Sequence, residues 1–373
     1  MQHWGSGVSY RLTQPFRIEA VEQEVKWRRP DDVLVRPRLT SVCGSDLKLY
    51  TGSRDRRALS KKLPLALLHE GVAEIVATGP GAPRHTRPGT RVVVVPNIPC
   101  YLAYPEEYPS KEEACMSCRP GGAGENYCLK NRYLSSNTDG LAQSVFAHPA
   151  SLCLPVPDEV PDSVAVLTEP MTTVIAGIQR APITRDRRYL ILGNGPIGLL
   201  TAVALSAFYG VPREAIWMTG RDWANREGLL PLIGTPLDAN EARGLAQIRS
   251  SIDIAFECVG GDANEMTLAQ AVDCLRPGGM AILFGPSEKA VDFNTREVVG
   301  KGLAFLGANR SFVPHFQWVM ERLVDRDVQR LLGAIVSPTS FAVRTADDLN
   351  NALYGAWTKR EPHKSLISWP GLE

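Results

Sequence analysis

Short apolar runs, rich in β-branched residues and broken by glycine and proline, fill roughly the first 150 positions. Val33-Leu34-Val35-Arg36-Pro37 and Arg91-Val92-Val93-Val94-Val95-Pro96 are typical. Short β-branched runs between turn residues predict the strands of an irregular β barrel. From about Pro155 the pattern changes to apolar strands alternating with longer helical stretches, which predicts parallel strands joined by crossover helices. The first such unit is the strand Tyr189-Leu190-Ile191-Leu192, the turn Gly193-Asn194-Gly195-Pro196-Ile197-Gly198 and a helix from Leu199 to Phe208. Further strands are expected at Ala215 to Met218, Ile252 to Phe256, Met280 to Phe284 and Leu303 to Leu306. After Arg310 an amphipathic helix from Val313 to Val324, a proline-containing strand and a helix from Ala346 to Trp357 complete the pattern. The stretch from Asp222 to Arg243 has too weak a period to place. The expected organisation is an α/β chain with a β-rich domain over 1–155, a doubly wound domain over 156–311, and a return to the first domain over 312–373.

Composition narrows the class. A chain of 373 residues exceeds a comfortable single core, and 44% hydrophobic with 22% charged residues is the balance of a compact soluble protein. Lysine and arginine number 41 against 40 acidic residues, so no global field draws nucleic acid or an anionic membrane. No stretch approaches the ~20 apolar residues of a membrane span. The start Met1-Gln2-His3-Trp4-Gly5 lacks a secretory pattern, so a cytoplasmic location is expected. Four of the eight cysteines fall between positions 100 and 128, which points to metal or catalytic thiolates rather than disulfides.

The glycine turn carries the first chemistry. Gly193 permits a tight turn, Gly195 lets the backbone approach a pyrophosphate, and Gly198 lets helix and strand pack closely, with Pro196 and Ile197 of the turn and Val259 further along also expected at the cofactor. A glycine turn alone is also a plain loop, but here a strand precedes it and a helix follows. The second strand ends Met218-Thr219-Gly220-Arg221, with no carboxylate for a ribose 2′-hydroxyl and a guanidinium placed for a 2′-phosphate. NADP(H) is therefore favoured over NAD(H), although Asp222 follows directly and Arg221 alone would read as a solvated charge.

Cys43-Gly44-Ser45-Asp46, His69-Glu70-Gly71 and Glu169-Pro170 together offer the thiolate, imidazole and carboxylate set of a catalytic zinc site, with Glu70 or Glu169 as the acid ligand. Asp46 is a candidate acceptor for the second ring nitrogen of His69. Singly, Cys43 reads as a small buried apolar residue and His69 as a bonded core histidine; their joint occurrence with a nucleotide fold favours the ion. Cys115-Met116-Ser117-Cys118, with Cys128 and the more distant Cys100, has the spacing of a closed four-thiolate structural zinc site.

These segments resemble the zinc-containing medium-chain dehydrogenase family over nearly the whole chain. The resemblance implies a GroES-like β-barrel catalytic domain, a Rossmann doubly wound parallel sheet and a homodimer or homotetramer. Its polyol branch uses Cys, His and Glu at the positions held here by Cys43, His69 and Glu70, and Glu169 stands where alcohol-oxidising relatives commonly place a cysteine. Tyr50 to Asp55, Lys62-Leu63-Pro64, Phe256 to Gly261 including Val259, and Asn294-Thr295-Arg296 resemble the bacterial ribulose-5-phosphate reductases, which use NADPH. The expected reaction reduces D-ribulose 5-phosphate to D-ribitol 5-phosphate, with Ser45 supplying a proton, Lys48 extending the relay, Arg54, Arg132 and Arg310 as phosphate cations, and Tyr50 packing on the sugar. The competing expectations are a dehydrogenase of free polyols such as sorbitol or xylitol, and a non-catalytic nucleotide-binding sensor.

Overall fold

The apolar runs fold as expected into two kinds of sheet. The computed structural model describes residues 3–54, 59–84, 86–223, 230, 234–239, 242–359 and 363–370. Ten strands come first: β1 (His3–Gln14), β2 (Arg17–Lys26), β3 (Asp32–Ser41), β4 (Leu65–Ala66), β5 (Glu70–Thr78), β6 (Arg91–Val94), β7 (Asn97–Ile98), β8 (Arg132–Tyr133), β9 (Phe146–Pro149) and β10 (Cys153–Pro155). Six follow in the glycine-turn region: β11 (Tyr189–Leu192), β12 (Ile216–Gly220), β13 (Thr235–Asp238), β14 (Ile252–Glu257), β15 (Leu275–Leu283) and β16 (Ala304–Gly307). β17 (Val336–Ala342) and β18 (Lys364–Ser368) close the series.

The chain divides into two compact units, residues 1–169, 311–324 and 336–373 forming one and residues 170–310 and 325–335 the other. The first holds a mostly antiparallel sheet in the order β10-β6-β5-β3-β18-β17, with β9 also on β3 and β17 parallel to β18. Its core joins Val33, Val35, Ile75, Val92 and Val94 to Leu349, Leu353, Ile367 and Trp369 from the C-terminal stretch. Burial of these side chains is what returns the end of the chain to the first unit. Residues 156–169 also stay with that unit, later than the boundary at 156 read from the pattern. Arg91 donates to the carbonyls of Pro157 and Val160 and to the Asp162 carboxylate, and so ties that segment down. The helix Arg326–Gly333 goes the other way, packing on the helix Pro196–Val203 of the second unit.

The second unit is a parallel sheet in the order β13-β12-β11-β14-β15-β16. That order, reversing at β11, places a ligand site beyond the carboxyl ends of the central strands. Part of the stretch 222–243 is now placed, as β13 and a short helix, and its remainder lies outside the described residues. Among the described residues no helix is long and apolar enough to cross a membrane.

One glycine of the turn is required by packing and another is not. A Cβ on Gly198 would lie 1.9 Å from the Gly193 carbonyl oxygen, whereas a Cβ on Gly195 would meet nothing within 4 Å. Gly198→Ala should therefore lower the thermal unfolding midpoint, at a cost of about 1–3 kcal/mol from overpacking. Gly195→Ala should stay within about 0.5 kcal/mol of the parent. Calorimetry of the two variants checks the contrast.

Candidate metal and nucleotide sites

Cys43 and His69 lie on separate segments, and the Asp46 carboxylate connects them. Cys43 caps the helix Gly44–Tyr50, and its N–H donates to Asp46 Oδ2 at 3.1 Å. Asp46 Oδ1 accepts from the Leu68 N–H at 3.0 Å and from the Ser135 hydroxyl. Leu68 sits at φ 71°, a left-handed conformation that a leucine adopts only when its surroundings impose it. The Leu141 N–H holds its carbonyl at 2.7 Å, and Gly140 leaves room there, since a Cβ at 140 would lie 2.2 Å from that oxygen. The result delivers His69 beside Cys43. Asp46 is wholly buried; burial raises its pKa, but the His69 imidazole and the hydrogen bonds from Ser135 and Leu68 outweigh that and hold it below the usual carboxylate range.

Ligand atoms of Cys43, His69 and Glu70 all fall within 4.8 Å of one another. His69 Nδ1 is buried and makes no hydrogen bond, with Asp46 Oδ1 3.5 Å away. A thiolate, an imidazole and a carboxylate, with an aspartate behind the ring, fit a zinc ion taking the other ring nitrogen. Glu70 also has partners of its own. Lys364 Nζ lies 2.7 Å from its carboxylate, both side chains are almost fully buried, and Ser41 donates to the same group. Burial would depress the Lys364 ammonium, yet Glu70 and Cys43 hold it above its ordinary value. Glu169 lies outside the group of three donors; its Oε1 accepts from the Tyr133 hydroxyl at 2.9 Å, and the Tyr133 ring centroid is 5.7 Å from that of His69. Burial pushes the Glu169 carboxyl up to about 7.

The second cluster gathers Cys100, Cys115, Cys118 and Cys128, again with all four sulfurs within 4.8 Å. The Cys115 and Cys128 sulfurs are 3.7 Å apart, and none of the eight cysteines is in a disulfide. Four thiolates about 2.3 Å from a tetrahedral ion are spaced by about 3.8 Å, so the set fits a closed zinc site. Buried Glu125 also holds this lobe, accepting from the Tyr101 hydroxyl at 2.9 Å and pairing with Lys111 at 2.6 Å. The lobe's apolar cluster consists of those cysteines with Ala114, Tyr101 and Tyr108.

In the second unit Gly193 takes φ 108° at the end of β11, Gly195 caps the helix that Pro196 and Ile197 begin, and Gly198 lies against the Gly193 carbonyl. A Cβ on Gly193 would fall 2.6 Å from the Val259 side chain. Val259 is fixed in turn by Glu257, whose buried Oε1 accepts from the N–H groups of Val259 and Gly260 and the Thr267 hydroxyl. Gly220 ends β12, and Arg221 beyond it is exposed. Amides at the start of the helix and an exposed guanidinium at the next strand tip suit a phosphorylated dinucleotide.

One sequence expectation needs correction. Tyr50 does not face a sugar: it is fully buried, its ring meets Phe16 edge-on, and its hydroxyl donates to Asn350. The aromatic residue of that helix is part of the core because the C-terminal helix Ala346–Lys359 packs over it. Arg132 has its guanidinium carbon 5.1 Å from the centre of the Tyr104 ring. Arg310 belongs to the second unit and takes φ 60°. Ser45 and Lys48 lie half-buried on the helix after Cys43, Arg54 is half-buried with an Nε that has no hydrogen-bond partner, and the adjoining Asp55 lies outside the described residues. Lys364, Tyr133, Ser41 and Ser135 were not foreseen; Ser41 lies two residues before Cys43, and the other three reach the site from distant parts of the chain.

The alcohol dehydrogenase GroES-like domain matches residues 29–158, and the glucose dehydrogenase C-terminal domain matches residues 162–353, more than half the chain. The chain belongs to the zinc-type alcohol dehydrogenase family. It is 31% identical to ribulose-5-phosphate reductase 1 of Staphylococcus aureus, over 96% of this chain and 98% of that one. Ribulose-5-phosphate reductase of Bacillus spizizenii is 29% identical, over 97% and 98%. The crystal structure of S. aureus TarJ in complex with NADPH is 26% identical and superposes with a TM-score of 0.77, covering 98% of this chain and all of that one. For this dehydrogenase the position of Asp46 gives a direct expectation. Asp46→Asn should weaken metal binding at Cys43 and His69 by about 10- to 100-fold. It should leave zinc in the cysteine lobe. Elemental analysis after dialysis should then read close to one zinc per chain, against two for the parent.

Proposed function

We propose that this enzyme reduces D-ribulose 5-phosphate to D-ribitol 5-phosphate, oxidising NADPH. The observation that carries the reading is the convergence of Cys43, His69 and Glu70 in one unit of a chain whose other unit has a glycine turn after β11 and Arg221 at the tip of β12. It is supported by near full-length similarity to two ribulose-5-phosphate reductases and by likeness to TarJ, solved with NADPH.

A bound zinc ion supplies Lewis acidity to a carbonyl oxygen, and the reduced nicotinamide supplies hydride. Cys43, His69 and Glu70 are the donors that hold the ion, and Asp46 fixes the first two in position. Lys364 neutralises Glu70, so the site does not bury a lone carboxylate beside the thiolate. Glu169, held by Tyr133, is the carboxylate available for the remaining position. The balanced change is hydride to C2 and a proton to its oxygen; the Ser45 hydroxyl, two residues beyond Cys43, delivers that proton and recovers it from solvent through Lys48. Arg221 takes the 2′-phosphate of the nucleotide. Arg54 takes the sugar phosphate: its buried Nε has no protein partner, which leaves a donor for an anion.

The test is NADPH oxidation with ribulose 5-phosphate and with free ribulose as alternative acceptors. The phosphorylated sugar should be favoured by at least about tenfold in kcat/KM. Arg54→Ala should erase most of that margin by raising KM about 10- to 100-fold, the worth of a charge-assisted hydrogen bond. Equal use of the two sugars by the parent would make this a free-polyol enzyme. An Arg54→Ala variant with unchanged KM for ribulose 5-phosphate would remove Arg54 from the phosphate site.

A further inference from the structure

β11 and β12 run parallel with Leu192 beside Thr219, so the turn after one strand lies against the tip of the other. The Gly193 N–H donates to the Thr219 carbonyl at 3.1 Å. Asn194 comes next, almost wholly buried, and its Nδ2 donates to the Arg221 carbonyl at 2.8 Å. Its side chain also fills the place that any residue larger than glycine would need at position 220. A Cβ built on Gly220 falls 2.2 Å from Asn194 Cγ, 2.3 Å from Nδ2 and 2.6 Å from Cβ. The last of these distances is to an atom no rotation of the side chain can move away. An acidic residue at this strand tip is the usual means of holding an unphosphorylated ribose.

We propose that Asn194 is a specificity-determining residue for the 2′-phosphorylated nucleotide. It does two things: it excludes a side chain, and hence a carboxylate, at the tip of β12, and it pins the backbone of Arg221 so that the guanidinium stays where a 2′-phosphate would bind. Asn194 acts through Arg221 and is a positioning residue. The inference rests on the reading of NADP(H) as the cofactor. It also explains why the middle residue of Gly193-Asn194-Gly195 is a short amide. Serine would fall short of the Arg221 carbonyl, and a longer side chain would meet β12.

Equilibrium titration of NADPH and NADH, followed by quenching of protein fluorescence without sugar, measures the effect apart from turnover. The parent should bind NADPH more tightly. Asn194→Ala should cut the NADPH-to-NADH affinity ratio by about five- to tenfold, the worth of one buried hydrogen bond, with NADH affinity held within about twofold. Arg221→Ala should cut the ratio further. The double variant should match Arg221→Ala, because Asn194 has nothing left to position. Gly220→Asp alone should lower the melting temperature and gain no NADH affinity, whereas Asn194→Gly with Gly220→Asp should recover the melting temperature and favour NADH. A parent that prefers NADPH while Asn194→Ala weakens both nucleotides equally, or adds fully to Arg221→Ala, overturns the role given to Asn194. A parent that binds NADH as tightly as NADPH overturns the cofactor reading first.

Discussion

The fold converges on a single buried carboxylate. Asp46 accepts hydrogen bonds from the Cys43 and Leu68 amides and the Ser135 hydroxyl, and faces the His69 ring. Three segments distant in sequence are held by one side chain with no access to water. A buried charge persists only when its partners repay desolvation, and here the partners are the ligand-bearing backbone itself. The left-handed Leu68 and the glycine at 140 follow from that demand, since each lets a strand end pass close enough to be bonded. The metal donors are thus set before an ion arrives, which is what a catalytic site needs if an open position is to keep its geometry.

The cysteine lobe has its own buried carboxylate. Between Cys100 and Cys128 the chain forms only two short helical turns, and its apolar cluster surrounds the sulfurs. Buried Glu125 helps to hold that lobe, its carboxylate bonded to the Tyr101 hydroxyl and to Lys111 and its carbonyl accepting from the Asn97 amide.

Much of this was legible in the sequence because the relevant constraints are local. Strand, glycine turn and helix from Tyr189 onward follow from backbone sterics, and the pairing of Cys43 with His69 follows from ligand chemistry. Tyr50 was misplaced because a helix of seven residues gives no reliable sign of which face is covered, and the cover comes from a helix almost 300 positions later. Lys364 escaped for the same reason, being brought to the site by the pairing of β18 with β3, and Tyr133 lies on a short strand that pairs only with β7. The late boundary at residue 169 depends on Arg91 contacts that no periodicity encodes. Asn194 lay in plain view inside the glycine motif, but its meaning required knowing what stands across from it on β12.

The claim on which the rest depends is that Asp46 brings Cys43 and His69 to one ion. An anomalous difference map at the zinc absorption edge, from crystals of the purified protein, tests it most directly. The expected map has two peaks per chain, one among the four lobe sulfurs and one within bonding distance of both Cys43 Sγ and a ring nitrogen of His69. A fully loaded protein with density in the lobe and none between Cys43 and His69 would contradict the assignment.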